Sequence, residues 1–491
     1  MNITFDLTSD LLMNITLIIA TIILPITIYK KNSLFFFIVL TYLKLFYIFQ
    51  IRSSLLSFAF VTGFVFYSMN GNEFNQFLRS KGISLKFVML SISTTLIPIL
   101  IFLFNLKPNS ALGRVLIWEV SITELLLPNW FSGVGFGSYS WMYNRAQSVY
   151  FQSGNGSYFE GVLAGNVEHA HNEYLQFAIE LGLPLFLLCL ASLVWLFWDF
   201  RKFTIPFKER LETLPTAQKW RELVLLGAKS SVVAIATSSL FTFPLHYWQV
   251  LVWFVFMMLI IGLLQGKFLL LHKAMQWVWN QFSAASPWVN YGWRTSLVAI
   301  LFFAFYPTVN YGYEQYKLHQ DWNNLKRVVA MRGAPQLIPV FEQLTPQLAH
   351  RGEFWFNYAA AYFQQNDYVS ALPLLEKSAE NYSNPNLYLS LAKAYRETGQ
   401  LDKAEETYFF SHHMIPHRFY PLHEWAYTKL ANGDTLGAVA LANKALLMPE
   451  KVPSRATKEI KENMQKLFDT YHNSESPLPT DPTFTKTVPE S

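Results

Sequence analysis

His169-Ala170-His171-Asn172-Glu173-Tyr174-Leu175-Gln176 forms a polar interval between long apolar runs. Two imidazoles stand there with the carboxylates of Glu168 and Glu173, beside a run of membrane length. Asn172 is a helix-capping residue type, and Leu175, Ala178, Ile179 and Leu183 follow it at helical spacing. Gly182-Leu183-Pro184 then reads as the stop signal. The stretch therefore predicts a short helix with His171 at its entrance, where unpaired backbone N–H groups favour anions. Working outward, this reads as an active site at a membrane surface.

The composition agrees. The chain has 491 residues, 52% apolar and only 14% charged, too apolar for an ordinary soluble enzyme. Its net charge of +5 comes from basic residues between apolar runs, which points to membrane topology rather than nucleic-acid binding. The single cysteine, Cys189, excludes a disulfide framework and a thiolate metal site. The first apolar run lacks a basic segment before it and ends at Lys30-Lys31, as a retained first span would.

Taking ~20 residues as the spanning requirement, apolar runs fall at 11–29, 33–51, 54–68, 87–105, 185–200, 222–243, 248–265 and 295–311. About eight transmembrane helices are predicted. If they alternate, Lys30-Lys31, then Arg79, Lys81 and Lys86, then Arg201 to Arg210, then Lys267 and Lys273 share one side, the cytoplasm. The loop at about 106–184, the turn around His246 and everything beyond Tyr311 then lie outside. His246 and Tyr247, after Pro244 at a helix boundary, read as interfacial belt residues. Lys44, within the second span, needs a partner.

Residues 312–472 change to a charged helical pattern with a repeat of about 34 residues. Trp355, Ala359, Tyr362 and Ala371 occupy one unit; Tyr388, Ala392, Tyr395, Ala404 and Pro416 occupy the next; a degenerate third runs from Trp425 to Pro449. These positions resemble tetratricopeptide repeats, which stack into a solenoid that usually binds polypeptide. Residues 312–350 read as a helical cap, and 473–491, rich in Ser, Thr and Pro, as a disordered tail similar to an O-glycosylation acceptor. The predicted class is thus all-α: a polytopic helical membrane domain over 1–311 carrying a helical-repeat solenoid.

Along the outer side run Arg52 before a small-residue apolar span, Gly113-Arg114 with Trp118, the turn Gly133-Val134-Gly135 with Gly137, and His171-Asn172 with Gly182. In this order the motifs resemble the O-antigen ligase superfamily, which includes O-antigen polymerases and O-linked oligosaccharyltransferases, over roughly residues 40–265. Leu185 stands where the ligase form carries a small or β-branched residue. The resemblance implies transfer of a glycan from undecaprenyl diphosphate to an acceptor hydroxyl, without a metal or other cofactor, outside the bacterial inner (cytoplasmic) membrane, with the repeats in the periplasm.

The residue chemistry fits. Guanidinium forks of Arg52 and Arg114 suit the diphosphate, since they bind phosphate oxygens bidentately and keep their charge. The His171 imidazole suits a general base. Which of Glu168, His169 and Glu173 orients its ring stays open; Asn172 and Trp118 complete the supporting set. An arginine at a membrane edge also snorkels, and an interfacial histidine also serves as a mere hydrogen-bonding group. It is the ordered set that favours function. His-x-His with a nearby Glu lacks the spacing of a zinc signature. Lipopolysaccharide core, a growing saccharide chain (a polymerase) and protein Ser/Thr compete as acceptors; the repeats favour a protein acceptor or partner. A non-catalytic scaffold recruiting partners through the repeats is the reading from another class.

Overall fold

The computed structural model describes residues 52–105, 107–198, 213–267, 317–318, 320–329, 334–451 and 453–471, and every regular element among them is a helix. The runs predicted at 11–29, 33–51 and 295–311, Lys44, and the tail lie outside the described residues. Two compact units emerge: Met1–Arg114 with Trp130–Gly133 and His169–Trp293, and Val115–Asn129 with Val134–Glu168 and Arg294–Ser491.

In the first unit, α1 (Arg52–Ser80), α2 (Leu85–Asn105) and the start of α3 (Pro108–Val120) precede α6 (Glu173–Leu181), α7 (Leu183–Phe197), α8 (Thr216–Ser238) and α9 (Trp248–Leu264). α1 packs on α8, where the Ser57 and Ser238 hydroxyls pair at 2.8 Å in a buried contact. Leu225, Ala228 and Val232 of α8 meet Met257, Met258 and Ile261 of α9. The outward faces stay apolar: no residue of α7 is buried, and Leu188 is 64% exposed. Among the described residues no helix is long and apolar enough to cross a membrane. α7 and α9, at 15 and 17 residues, fall short of the ~20 needed.

The second unit is a stack of helix pairs. α11 (Gly352–Phe363) pairs with α12 (Tyr368–Ala379), α13 (Pro385–Glu397) with α14 (Leu401–Met414), and α15 (Phe419–Ala431) with α16 (Thr435–Leu447). Ala359, Ala392 and Ala426 on the first helices, and Ala371, Ala404 and Ala438 on the second, are each 0% exposed. Only a methyl group fits where paired helices approach so closely, so the third pair is as regular as the others despite its degenerate sequence. At one end Trp322, Leu325 and Phe341, the last on α10 (Ile338–Leu348), cover Phe354 and Tyr358. At the other, α17 (Arg455–Tyr471) buries Met464 and Leu467 against α15 and α16.

The loop helices α4 (Tyr139–Gln152) and α5 (Tyr158–Leu163) belong to this unit. They run along α14 and the turns at Ser383 and His417. Asn144 Nδ2 donates to Ser383 O at 3.2 Å, Ser148 Oγ to Phe410 O at 2.8 Å, and the Gln147 amide to Met414 O. His417 Nδ1 meets Gly161 O at 2.9 Å and Lys451 Nζ meets Val162 O at 2.6 Å. Asn144, Gln147 and Ser148 are buried to 2%, 1% and 0% exposure, so the loop is part of the solenoid's own core.

Candidate active site

The chain enters α6 as the sequence predicts. Asn172 is extended, and its Oδ1 accepts from Leu175 N at 3.0 Å. Just before it, His171 holds φ at +52°, the left-handed region that a non-glycine residue occupies only when its surroundings force it. α6 ends at Gly182, with φ of +77°. Gly133, at φ of +68°, lies back to back with Gly182: a Cβ on Gly133 would strike the Glu180 carbonyl and Gly182 N, and one on Gly182 the Phe131 carbonyl. Leu183 N donates to Trp130 O at 2.7 Å beside this contact. The two glycine motifs are therefore halves of one backbone junction.

Burial and the Arg114 charge push the His171 pKa down to about 4, so its imidazole is neutral at neutral pH. Arg114 also donates from Nη1 to Phe241 O at 3.0 Å. His169 is pushed down to about 3 by burial, His246 and His171, and its Nδ1 is buried without a hydrogen-bond partner. Phe243 stacks on His169 at 4.3 Å between centroids and meets His171 edge-on at 5.4 Å.

Glu173 does not serve His171 directly. Its carboxylate, 1% exposed, accepts from Ser239 Oγ at 2.5 Å and Leu245 N at 2.6 Å, and lies 3.4 Å from His246 Nδ1. It anchors the turn from Ser239 to Tyr247. His246, which the sequence suggests as a belt residue, is held by Glu173 and Gln176 and packs 4.4 Å from the His169 ring. Phe243, His246, Gln176 and Ser239 are the site residues that sequence reading missed. The available signal was a titratable ring in a break between apolar runs on the outer side, the side predicted for His171.

Trp118 and Glu168 belong to the second unit, the first half-buried on α3 and the second exposed. Arg52 opens α1, and its side chain lies outside the described residues. Among the described residues no group of three or more His, Cys, Asp or Glu is arranged to hold a metal ion.

The His171 turn, with the Arg114 charge acting on its ring, is the candidate site. Residues 15–190 match the family model of the O-antigen ligases, and residues 362–408 that of a tetratricopeptide repeat. No curated protein and no solved structure matches the chain. The ligase-type domain supports a membrane glycosyltransferase-like function, and Arg114, His171 and the Gly133–Gly182 junction all lie within the matched segment.

Proposed function

We propose that the protein transfers an oligo- or polysaccharide from undecaprenyl diphosphate to an acceptor hydroxyl on the periplasmic face of the bacterial inner membrane. The observation that carries this reading is the left-handed turn at half-buried His171, whose imidazole is kept neutral by burial and the Arg114 charge, within the segment that matches the ligase model. The acceptor oxygen attacks the anomeric carbon, the bond from that carbon to the phosphate oxygen breaks, and the hydroxyl proton passes to the neutral imidazole of His171. Undecaprenyl diphosphate leaves as an anion held by Arg114 and Arg52. Its arrival offsets the Arg114 charge that lowers the His171 pKa, so the base strengthens as the donor binds.

Apolar faces exposed along α7 and α9, with Leu188 and Val252 64% and 60% exposed, suit contact with lipid; the eight-span topology with the loop and repeats outside rests on the charge pattern of the sequence. No metal or other cofactor takes part in this scheme. The solenoid's usual ligands favour a protein Ser/Thr acceptor over the lipopolysaccharide core. Incubating membranes that carry a lipid-linked glycan with the protein, then weighing the products, tests the proposal. A mass increase on protein or lipid names the acceptor, a lengthened donor glycan identifies a polymerase, and no product from several donors contradicts the reading.

Arg114→Gln should lower kcat/KM by ~10²–10³, the effect of removing one transition-state charge donor. It should also raise the acid limb of the pH profile, which starts near pH 4 in the parent, because the charge that suppresses His171 protonation is gone. A pH–rate series on both proteins checks the two effects together.

A further inference from the structure

We infer that His246 is a positioning residue of the transfer reaction: through the Gln176 side-chain amide it fixes the peptide between His169 and His171. The inference rests on the glycosyltransferase reading above.

The hydrogen bonds assign the direction of each link. Gln176 Nε2 is a donor only; its two hydrogens point to Glu180 Oε1 at 3.3 Å and to His246 Nε2 at 3.1 Å. His246 Nε2 must then accept, so the ring proton sits on Nδ1, toward Glu173 Oε1 at 3.4 Å. With its amide oriented in this way, Gln176 presents Oε1 to Ala170 N at 3.2 Å. Ala170 is 0% exposed and is the residue between the two histidines. A continuous line therefore runs from Glu173 through His246 and Gln176 to the backbone at Ala170, one residue before the strained φ of His171.

Among the described residues the ring contacts of His246 are with His169 and Phe243, so its role runs through Gln176. It acts with Glu180, the second acceptor of the same amide nitrogen, to hold Gln176 in this orientation. Were the His246 acceptor lost, only the 3.3 Å bond to Glu180 would orient the amide, its hold on Ala170 N would loosen, and the turn could relax toward the right-handed region. The base would then sit away from the acceptor hydroxyl, and displacements of about 1 Å cost on the order of 100-fold in rate.

The test compares transfer by the full-length protein with His246→Leu, His246→Gln and Gln176→Leu, and with the Leu/Leu double variant. Gln at position 246 keeps an acceptor near the Nε2 position. The expected result is a kcat about 100-fold lower in His246→Leu, with donor KM within about twofold and recovery of most of the rate in His246→Gln. The double variant should be no slower than either single one, because both cut the same line. A His246→Leu protein with parental kcat, a loss that appears in KM alone, a folded His246→Gln as slow as His246→Leu, or single effects that multiply would each overturn the inference while parental transfer keeps the glycosyltransferase reading. No transfer by the parent itself would remove that reading and this inference together.

Discussion

Cutting the chain after Tyr311 is expected to abolish transfer, although every residue of the His171 site is retained. The deletion removes the carbonyls that satisfy Asn144, Gln147 and Ser148, three side chains at 2% exposure or less. Asn144, Gln147 and Ser148 keep bonds within the loop, to Val167, Gly165 and Gln152, so the main loss is the packing of α4 on α14 and the solenoid's cover over this face. The segment 134–168 should then unfold, and it is joined directly to Gly133 on one side and His169 on the other. Limited proteolysis of the truncated protein should cut within this segment, while the full-length chain resists. Parental transfer by the truncated protein would show that the repeats are a detachable recruiting module instead.

Gly182→Ala is expected to reduce transfer by ~10²-fold or more through a single methyl group. At φ of +77° and ψ of 153°, a region essentially reserved for glycine, an L side chain costs ~1–3 kcal/mol before any contact is counted. Here the Cβ would also strike the Phe131 carbonyl, which is backbone and cannot swing aside. To relieve the clash, the end of α6 must move away from Trp130–Gly133 and carry the His171 turn with it. Gly133→Ala should act alike, for the mirror-image reason. Gly113→Ala is the control: a Cβ there meets nothing within 4 Å, so transfer should stay near parental. Steady-state rates of the three variants, with their thermal midpoints, distinguish a distorted site from a lost fold.

Local features of the site were legible because they depend on residues near one another in the chain. Asn172 as a cap, Gly182 as a stop and His171 at a helix entrance all follow from residue type and spacing, and the observed bonds repeat them. What sequence could not supply was pairing across long separations. Glu173 looks like a partner for the adjacent histidine, yet it faces Ser239, Leu245 and His246, up to 73 positions away. Chain proximity placed it beside His171; the α6 twist turned it to the opposite neighbour. The glycines at 133 and 182 likewise read as separate turns until their backbones are seen in contact.

The solenoid shows the same division. Its small-residue period was readable in the first two pairs and, through Ala438, in the degenerate third, where the structure adds Ala426 at the matching buried position. Its hold on the loop was not readable, since Asn144 and Gln147 bond to backbone carbonyls, and a carbonyl leaves no mark in a sequence.

The measurement that tests the central claim most directly is glycan transfer by His171→Ala beside the parent, in the same membranes and with proteolytic resistance shown to be equal. General-base removal predicts a loss of ~10²–10⁴-fold, with donor binding retained through Arg114. A folded His171→Ala protein that transfers at the parental rate would contradict the account.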